Sequence, residues 1–471
     1  MRTNRLGVFQ MSWVGALSIA RGMESAPTSN RNETHPNRFS TPLQLAANQR
    51  TQSVFRRLAW PLVALALAAL MTTISRASIA ATDPDWHGTT PENISNSVYG
   101  MVRQPDIATG PSGQTIVVWS DGSSKDTLDI YITDDTGGAW STPEVISHTT
   151  ESSRYPDVLT VGENLFVTWV DTFIHEAKRT EGGIWQVRQI PSPVSLVAAG
   201  TQARLAASTD RLHVVFNASE TGLSDIYHAS RSLVETAWPT ATCVYTSTDQ
   251  GSWSPALAID PDEQKLYLVW QEQISINQNV IMYASGTVAG DSVNWSSAIT
   301  LSTGIAQSLK PDIAVDSGGN VHVAWGEPGA GGLYEQYVRY TRYDANSGSW
   351  SAPARIDPLP VQVNTDSPTY VAPVLALWEK NNQVMVCVAW HGFRSDSISE
   401  EVLLSCSPDG GLSWASPQNV SRSHGDEEIS VYPSITFDTL GRLHSVWKEQ
   451  SEIYHSRAQH LVYLPLVIRN G

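Results

Sequence analysis

The stretch Pro311-Asp-Ile-Ala-Val-Asp-Ser-Gly-Gly-Asn-Val-His-Val-Ala-Trp325 contains the pattern that decides the fold. A Pro-led apolar strand is followed by a Gly or Asp turn and by a second strand that ends in an aromatic residue. Pro105-Asp-Ile-Ala108 begins another copy, and seven copies follow one another at a spacing of about 45–65 residues. The seven second-strand aromatic residues are Trp119, Trp169, Phe216, Trp270, Trp325, Trp390 and Trp447.

Each copy continues into a third strand, often with Ile-Tyr, and then through a small-residue turn into a fourth strand that carries Trp. The fourth-strand tryptophans also number seven: Trp86, Trp140, Trp185, Trp238, Trp295, Trp350 and Trp414. Radial repetition of four-stranded units is typical of β-propellers. The sequence therefore predicts an all-β, seven-bladed propeller, with six blades as the alternative count.

The two ends of the repeat region complement each other. Trp86 precedes every first strand, whereas the last repeat, from Tyr432 to Arg457, has three strands and no fourth. We therefore predict that an N-terminal strand around Glu92 to Ser97 completes the last blade. Such a closure leaves no blade with an open edge at the junction of the ring.

Composition limits the classes of partner. The chain has 17 Trp and 16% charged residues, and its net charge is −16. The first 81 residues carry +7, which leaves −23 for the remainder. Nucleic acids and anionic membranes would be repelled by such a domain. The histidines show no metal-ligand spacing, so we expect no cofactor, and a structural cation is left open.

The N-terminal region has the pattern of an export signal. Arg56 and Arg57 precede an apolar run over about 58–74, and Ser78 to Ala80 supply small residues before a cleavage position. We expect residues 1–81 to be a disordered extension plus a signal peptide, residues 82–458 the propeller, and residues 459–471 an apolar tail. The protein is then secreted or lies on the cell surface, and an uncleaved membrane anchor is the alternative.

Three cysteines cannot all pair with one another. Cys387 and Cys406 belong to the second and third strands of the sixth blade, where a cross-strand bridge is conceivable. We expect instead that all three are buried thiols.

Two turns share a further motif. Ser407-Pro-Asp409-Gly-Gly411-Leu-Ser-Trp414 has the form Ser-x-Asp-x-Gly-x-Ser-Trp, and the segment from Asp135 to Trp140 is a near copy. Asp accepts backbone N–H bonds, Gly adopts positive φ, and Trp anchors the turn. The motif is the Asp box, or BNR repeat, and the chain resembles the sialidase-like propellers that carry it. In that family the motif is structural. The tail from Leu461 to Gly471, with Tyr-Leu-Pro-Leu, resembles the one that ends many secreted bacterial proteins.

Antiparallel strands assign each loop to one of two faces. The turns between first and second strands and between third and fourth strands lie on one face, here called the turn face. The second-to-third hairpins and the blade connections lie on the other, the loop face, which is the candidate binding surface. Five acids, here called the acidic ring, follow the second-strand aromatic by two residues: Asp121, Asp171, Glu272, Glu327 and Glu449. They either cap loops or form a polar rim for a sugar or cation.

Basic residues stand just before the first strands: Arg103, Arg154 and Lys310. Arg154 and Lys310, together with the acidic ring, are the predicted binding set. The resemblance implies an Arg that grips a substrate carboxylate, and Arg103 matches its position. It also implies an acid/base Asp on the next loop, where Asp121 and Asp126 both lie and Asp126 is the candidate. A Tyr nucleophile in a late blade is implied too, for which Tyr432 is the candidate. The Ile of the family's Arg-Ile-Pro motif is absent here, and sialidases have six blades.

Three functions compete. The first is an exported, non-catalytic propeller that binds a glycan or an extracellular protein on its loop face. The second is a sialidase-like exo-glycosidase that uses Arg103, Asp126 and Tyr432. The third is a structural module of a surface assembly. We favour the first because no complete catalytic set is present in the sequence.

Overall fold

The computed structural model describes Trp86 and residues 89–124, 126–136, 138–148, 150–179, 183–196, 200–219, 222–262, 264–303, 307–329, 332–357, 361–362, 371–392, 399–422 and 429–458. The chain divides into two units, Met1–Ala77 and Ser78–Gly471. The first unit lies wholly outside the described residues, as do the predicted apolar run 58–74 and the tail 459–471. No described segment forms a helix long and apolar enough to cross a membrane.

The second unit is a seven-bladed β-propeller, as the sequence predicts. Its sheets are antiparallel, and each is built on four main strands, which follow chain order in six of the seven blades. Blades one to three comprise β2 (Arg103–Thr109), β3 (Thr115–Gly122), β4 (Leu128–Asp134) and β5 (Glu144–Val145); β6 (Arg154–Val161), β7 (Asn164–Val170), β8 (Ile174–Arg179) and β9 (Trp185–Ile190); β10 (Ala203–Ala207), β11 (Arg211–Ser219), β12 (Ser224–Ser232) and β13 (Thr242–Tyr245).

Blades four and five carry short additional strands at their outer edges, β18 on β16 and both β23 and β24 on β21. Blades four to six comprise β14 (Ser252–Ile259), β15 (Lys265–Ser275), β16 (Gln278–Ala289), β17 (Ser292–Trp295) and β18 (Ile299–Thr300); β19 (Leu309–Val315), β20 (Val321–Gly329), β21 (Gly332–Asp344), β22 (Ser349–Trp350), β23 (Ala354–Arg355) and β24 (Val361–Gln362); β25 (Val374–Lys380), β26 (Gln383–Gly392), β27 (Glu401–Ser407) and β28 (Gln418–Asn419).

Blade seven joins the two ends of the ring. Its inner strands are β29 (Ser430–Phe437), β30 (Leu443–Glu449) and β31 (Glu452–Arg457), and its outermost strand is β1 (Glu92–Asn93). Glu92 pairs with His455, and the Ile94 N–H donates to the Ile453 carbonyl at 2.9 Å. The predicted closure is confirmed.

Seven apolar clusters lie between neighbouring blades and form the core. Each contains one second-strand aromatic residue, and all seven of these rings are fully buried. The fourth-strand Trp packs on the third strand of the preceding blade: the Trp414 ring contacts Tyr340 edge-on at 4.8 Å between centroids. Trp350 contacts Tyr283 in the same way at 4.9 Å. The repeated aromatics therefore hold adjacent blades together.

The expectation that all three cysteines are buried thiols was wrong. Cys387 and Cys406 lie directly opposite each other on β26 and β27, with their Cα atoms 4.1 Å apart, and form a disulfide. Cys243, on the outermost strand of blade three, is exposed rather than buried. Two buried cysteines in register have the same sequence signature whether they pair or not, because both states are apolar and fully covered.

Candidate functional site: an axial cavity

The first strands begin with an unusual backbone step. Five residues that precede proline have left-handed φ angles between 48° and 55°: Gln104, Tyr155, Ser254, Lys310 and Tyr432. In all five blades the pairing with the second strand shifts register at this step, which is a β-bulge. Non-glycine residues seldom adopt such angles, and a residue before proline normally prefers an extended conformation. Strain of this kind is concentrated at functional sites.

All five strained residues line one cavity on the propeller axis, with a volume of about 590 Å³. It lies where the first strands begin, which is level with the loop face. Gln202 and Ala372 occupy the equivalent positions in blades three and six. A cavity of this size, with aromatic and polar walls, is typical of small-ligand sites. We call it the axial cavity.

Three carboxylates in the axial cavity join neighbouring blades. Asp106 accepts a hydrogen bond from the Val158 N–H at 2.8 Å, and Asp157 accepts one from the Leu205 N–H at 2.7 Å. Asp312 accepts one from the Leu375 N–H at 2.7 Å in the next blade. Each aspartate comes directly after the strained X-Pro step. The bulge thus turns the carboxylate towards the following blade.

Desolvation sets the charge states in the axial cavity. Burial, assisted by the charge of Asp157, raises the pKa of Asp106 to about 6. Burial also raises the pKa of Asp312. Burial opposes the charge on Arg204, but the charges of Asp157, Asp106 and Asp312 and the hydrogen bond to Asp157 together outweigh it, so the pKa of Arg204 is raised. The Arg204 guanidinium donates to Asp157 at 2.8 Å.

Lys310 is the basic residue of the predicted binding set that lines the axial cavity. Its Nζ donates to Ser254 Oγ at 3.1 Å. Burial, with a further contribution from the Arg204 charge, lowers the pKa of Lys310 to about 8. Arg154 instead faces Asp126, with 3.9 Å between nitrogen and oxygen.

Of the three candidate catalytic residues, only Tyr432 lines the axial cavity. Its ring packs edge-on against His391 at 5.8 Å. Burial raises the pKa of Tyr432, and the nearby Arg103 charge partly offsets this effect. Asp126 is exposed over 73% of its side chain and lies beside Arg154. The structure therefore brings Arg103 near Tyr432 and leaves Asp126 on the surface.

The acidic ring is buried, with exposed fractions between 1% and 9%. Glu272 accepts from Ser247 Oγ at 2.5 Å and also from Ser252 Oγ. Glu327 binds the Arg339 guanidinium at 2.8 Å. Asp121 accepts from the Gly122 N–H, and Asp171 accepts from the Phe173 N–H and from His175. Glu449 accepts from Ser430 and Trp447. This burial favours the loop-capping interpretation of the five acids over an open rim.

The Asp-box segment of blade six forms the expected turn. Asp409 Oδ1 accepts from the N–H groups of Leu412 and Ser413 at 3.0 and 2.8 Å, and Ser407 Oγ donates to it at 2.7 Å. Gly411 has a φ of 89°, and a Cβ there would collide with the Tyr340 hydroxyl. Although burial opposes it, hydrogen bonding lowers the pKa of Asp409.

The near copy in blade one is built differently. Asp135 forms an isolated bridge with Trp140, whose Nε1 donates to Glu92 at 3.1 Å. The Trp140 ring packs edge-on against His455 at 4.9 Å. This turn therefore fastens blade one to the closure strand of blade seven.

The sequence analysis missed several residues of the axial cavity, among them Tyr155, Arg204 and the three joining aspartates. A signal was present, because the residues on both sides of each inner-strand proline are polar in most repeats. Within the described part of the chain, no three His, Cys, Asp or Glu side chains are grouped to hold a metal ion.

Comparison with known proteins supports the fold. No protein-family model and no curated protein matches the chain. A polysaccharide lyase, an ulvan lyase bound to -[GlcA(1-4)Rha3S]-, is similar in structure: the TM-score is 0.53 at 11% identity, over 79% of this chain and 93% of that chain. The leech intramolecular trans-sialidase gives a TM-score of 0.45 at 10% identity, over 79% of this chain and 70% of that chain. At such identities, the likeness to the lyase shows the β-propeller fold alone.

Proposed function

We propose that this protein is an exported β-propeller that binds a glycan in its axial cavity without cleaving it. The observation that carries the proposal is the convergence of seven blades on one cavity lined by Tyr155, Tyr432, Arg204 and Lys310. Aromatic faces pack against sugar rings, and the polar groups supply hydrogen bonds that fix orientation.

The strained backbone supports the same assignment. Each left-handed residue before proline costs on the order of 1–3 kcal/mol, so the fold alone would favour another residue there. The five steps place Tyr155, Tyr432 and Lys310, among others, on the cavity wall. The strained backbone thus holds aromatic and basic side chains at fixed positions on the wall of the proposed ligand site.

Export is supported by the disulfide between Cys387 and Cys406, since such bonds persist mainly in oxidising compartments. A glycan partner also suits an extracellular location. The net charge of −23 after residue 81 argues against nucleic acid.

The test is a glycan array probed with the wild-type protein and with Tyr155→Ala and Tyr432→Ala, followed by calorimetry on the glycans that bind. Each variant should weaken binding by about tenfold or more, because each removes an aromatic anchor. Tyr99→Ala is the matched control, since Tyr99 is half exposed and does not line the axial cavity. Equal losses in the control and the cavity variants would contradict the proposal.

Hydrolysis of a sialoside is the second candidate, favoured by the Arg103 charge that acts on Tyr432. A positioned nucleophile, acid/base and carboxylate clamp are needed together, and Asp126 faces Arg154 on the surface instead. We expect no release of sialic acid from a fluorogenic sialoside. Turnover that disappears in both Tyr432→Phe and Arg103→Ala, with folding intact, would establish the enzyme.

A further inference from the structure

Lys310 has an unusual environment for a lysine. Its ammonium nitrogen lies 3.1 Å from Ser254 Oγ, and none of the described carboxylates forms an ion pair with it. The residue is partly exposed towards the axial cavity and is fixed by its left-handed backbone ahead of Pro311. It therefore presents an amine to the cavity at a defined position.

The surroundings of this amine increase the fraction that is neutral. The cavity walls desolvate the ammonium, and Arg204 adds a second positive charge, so the pKa falls to about 8. At pH 7.4 about 20% of such a lysine is neutral, against roughly 0.1% of a lysine with an ordinary pKa. Desolvation next to another cation is a known way to make lysine a nucleophile towards carbonyl groups.

We propose that Lys310 binds a small hydroxyaldehyde covalently, as an imine. The lone pair of neutral Nζ attacks the aldehyde carbon, and the carbonyl oxygen takes a proton. The resulting carbinolamine then loses its hydroxyl group and the remaining nitrogen proton as one water molecule. The net reaction converts one amine and one aldehyde into one imine and water, with no oxidant or reductant.

The cavity wall selects the class of aldehyde. Hydroxyl and amide groups of Tyr155, Tyr432, Ser434 and Gln104 line the same space, and they suit the hydroxyl groups of an open-chain sugar. The inference shares the axial cavity with the proposed glycan site but does not rest on it. Reversible glycan binding depends on the tyrosines, whereas imine formation depends on the amine.

The experiment labels the full-length protein with limiting glycolaldehyde and sodium cyanoborohydride and maps the six lysines by peptide mass spectrometry. Lys310 should be labelled at least about tenfold faster than Lys265 at pH 7.4, because Lys265 is exposed at the start of β15. The Lys310 rate should level off above about pH 8, while the Lys265 rate continues to rise. Propionaldehyde, which lacks the hydroxyl group, should label Lys310 more slowly.

Lys310→Arg keeps the positive charge and removes the nucleophile, so its labelling should be confined to the other lysines. Lys310 labelled no faster than Lys265 would overturn the proposal. Equal rates for glycolaldehyde and propionaldehyde would overturn the assigned ligand class. In the tyrosine variants Lys310 should still be labelled, but with a smaller preference for glycolaldehyde over propionaldehyde, because the amine remains and part of the selecting wall is removed.

Discussion

The Asp-box turn of blade six and the axial cavity both contain aspartates, but the pKa values of these aspartates are shifted in opposite directions. At the turn, Asp409 accepts hydrogen bonds from two backbone N–H groups and two serines, and its pKa is lowered. In the cavity, desolvation and Asp157 raise the pKa of Asp106 to about 6. Hydrogen bonds within the turn stabilise the charged form of Asp409, whereas burial in the cavity disfavours the charged form of Asp106. We take this difference as support for the proposed binding role of the cavity and for a structural role of the turn.

We expect the largest loss of stability from removal of the closure strand β1, which, like the turn, is held by hydrogen bonds within the fold. A chain that starts at Tyr99 loses buried Trp86 and Ile94 and the backbone bonds to β31. Its destabilisation should exceed the about 3–5 kcal/mol of a single buried Trp. Chemical denaturation against a chain that starts at Thr82 measures this. Similar midpoints for the two chains would refute the closure account.

Trp414→Ala should destabilise by about 2–3 kcal/mol, less than a fully buried Trp would, because it removes a half-buried ring packed between blades five and six. Glycan binding by the folded fraction should not change, since the turn face lies opposite the axial cavity. The measurement combines urea denaturation with calorimetry. Retained stability with lost binding would reverse the assignment of the two faces.

Asp409→Ala should cost about 1 kcal/mol, because the turn loses its hydrogen bonds to a carboxylate and, at this exposed position, water replaces part of them. The lowered pKa of Asp409 stabilises the fold above pH 4, and this contribution is lost as the pH falls through the folded-state pKa. Melting curves from pH 2 to pH 7 should therefore converge for wild type and variant at low pH. Parallel curves over that range would contradict this prediction.

Asp106→Asn tests a pH dependence of stability that is opposite in sign to that of Asp409. Because the folded-state pKa of Asp106 is raised to about 6, its contribution is present below about pH 4 and is lost as the pH rises through 6. Between pH 4 and pH 7 the variant should lose less unfolding free energy than the wild type, by about 3 kcal/mol at most. An Asn amide can still accept from Val158 and bond to Ser434. A variant with the wild-type pH profile would show that another group titrates.

The propeller was predictable because its evidence recurs in every repeat. Trp86 without a first strand before it was enough to predict a closure strand around Glu92 to Ser97, since seven copies define what a complete blade contains; the structure places this strand at Glu92–Asn93. The Asp409 turn was predictable for a related reason: its hydrogen bonds are local, and each partner lies within a few residues.

The axial cavity was harder to predict because its defining feature opposes a local rule. A residue before proline is expected to be extended, yet Tyr155, Lys310 and Tyr432 are left-handed. Tertiary packing of adjacent inner strands imposes this conformation, and a single repeat does not contain that information. Burial of the acidic ring was hidden for the same reason, since its partners include residues of other strands and loops.

The most direct test of the central claim compares binding at the two regions. A glycan array is probed with the wild-type protein, the Tyr155→Ala/Tyr432→Ala double variant and Leu412→Ala, which alters an exposed side chain of the Asp-box turn. We predict at least one glycan that the wild type and Leu412→Ala bind equally and that the double variant does not bind. Binding that survives in the double variant, or that is lost in Leu412→Ala, would contradict the account.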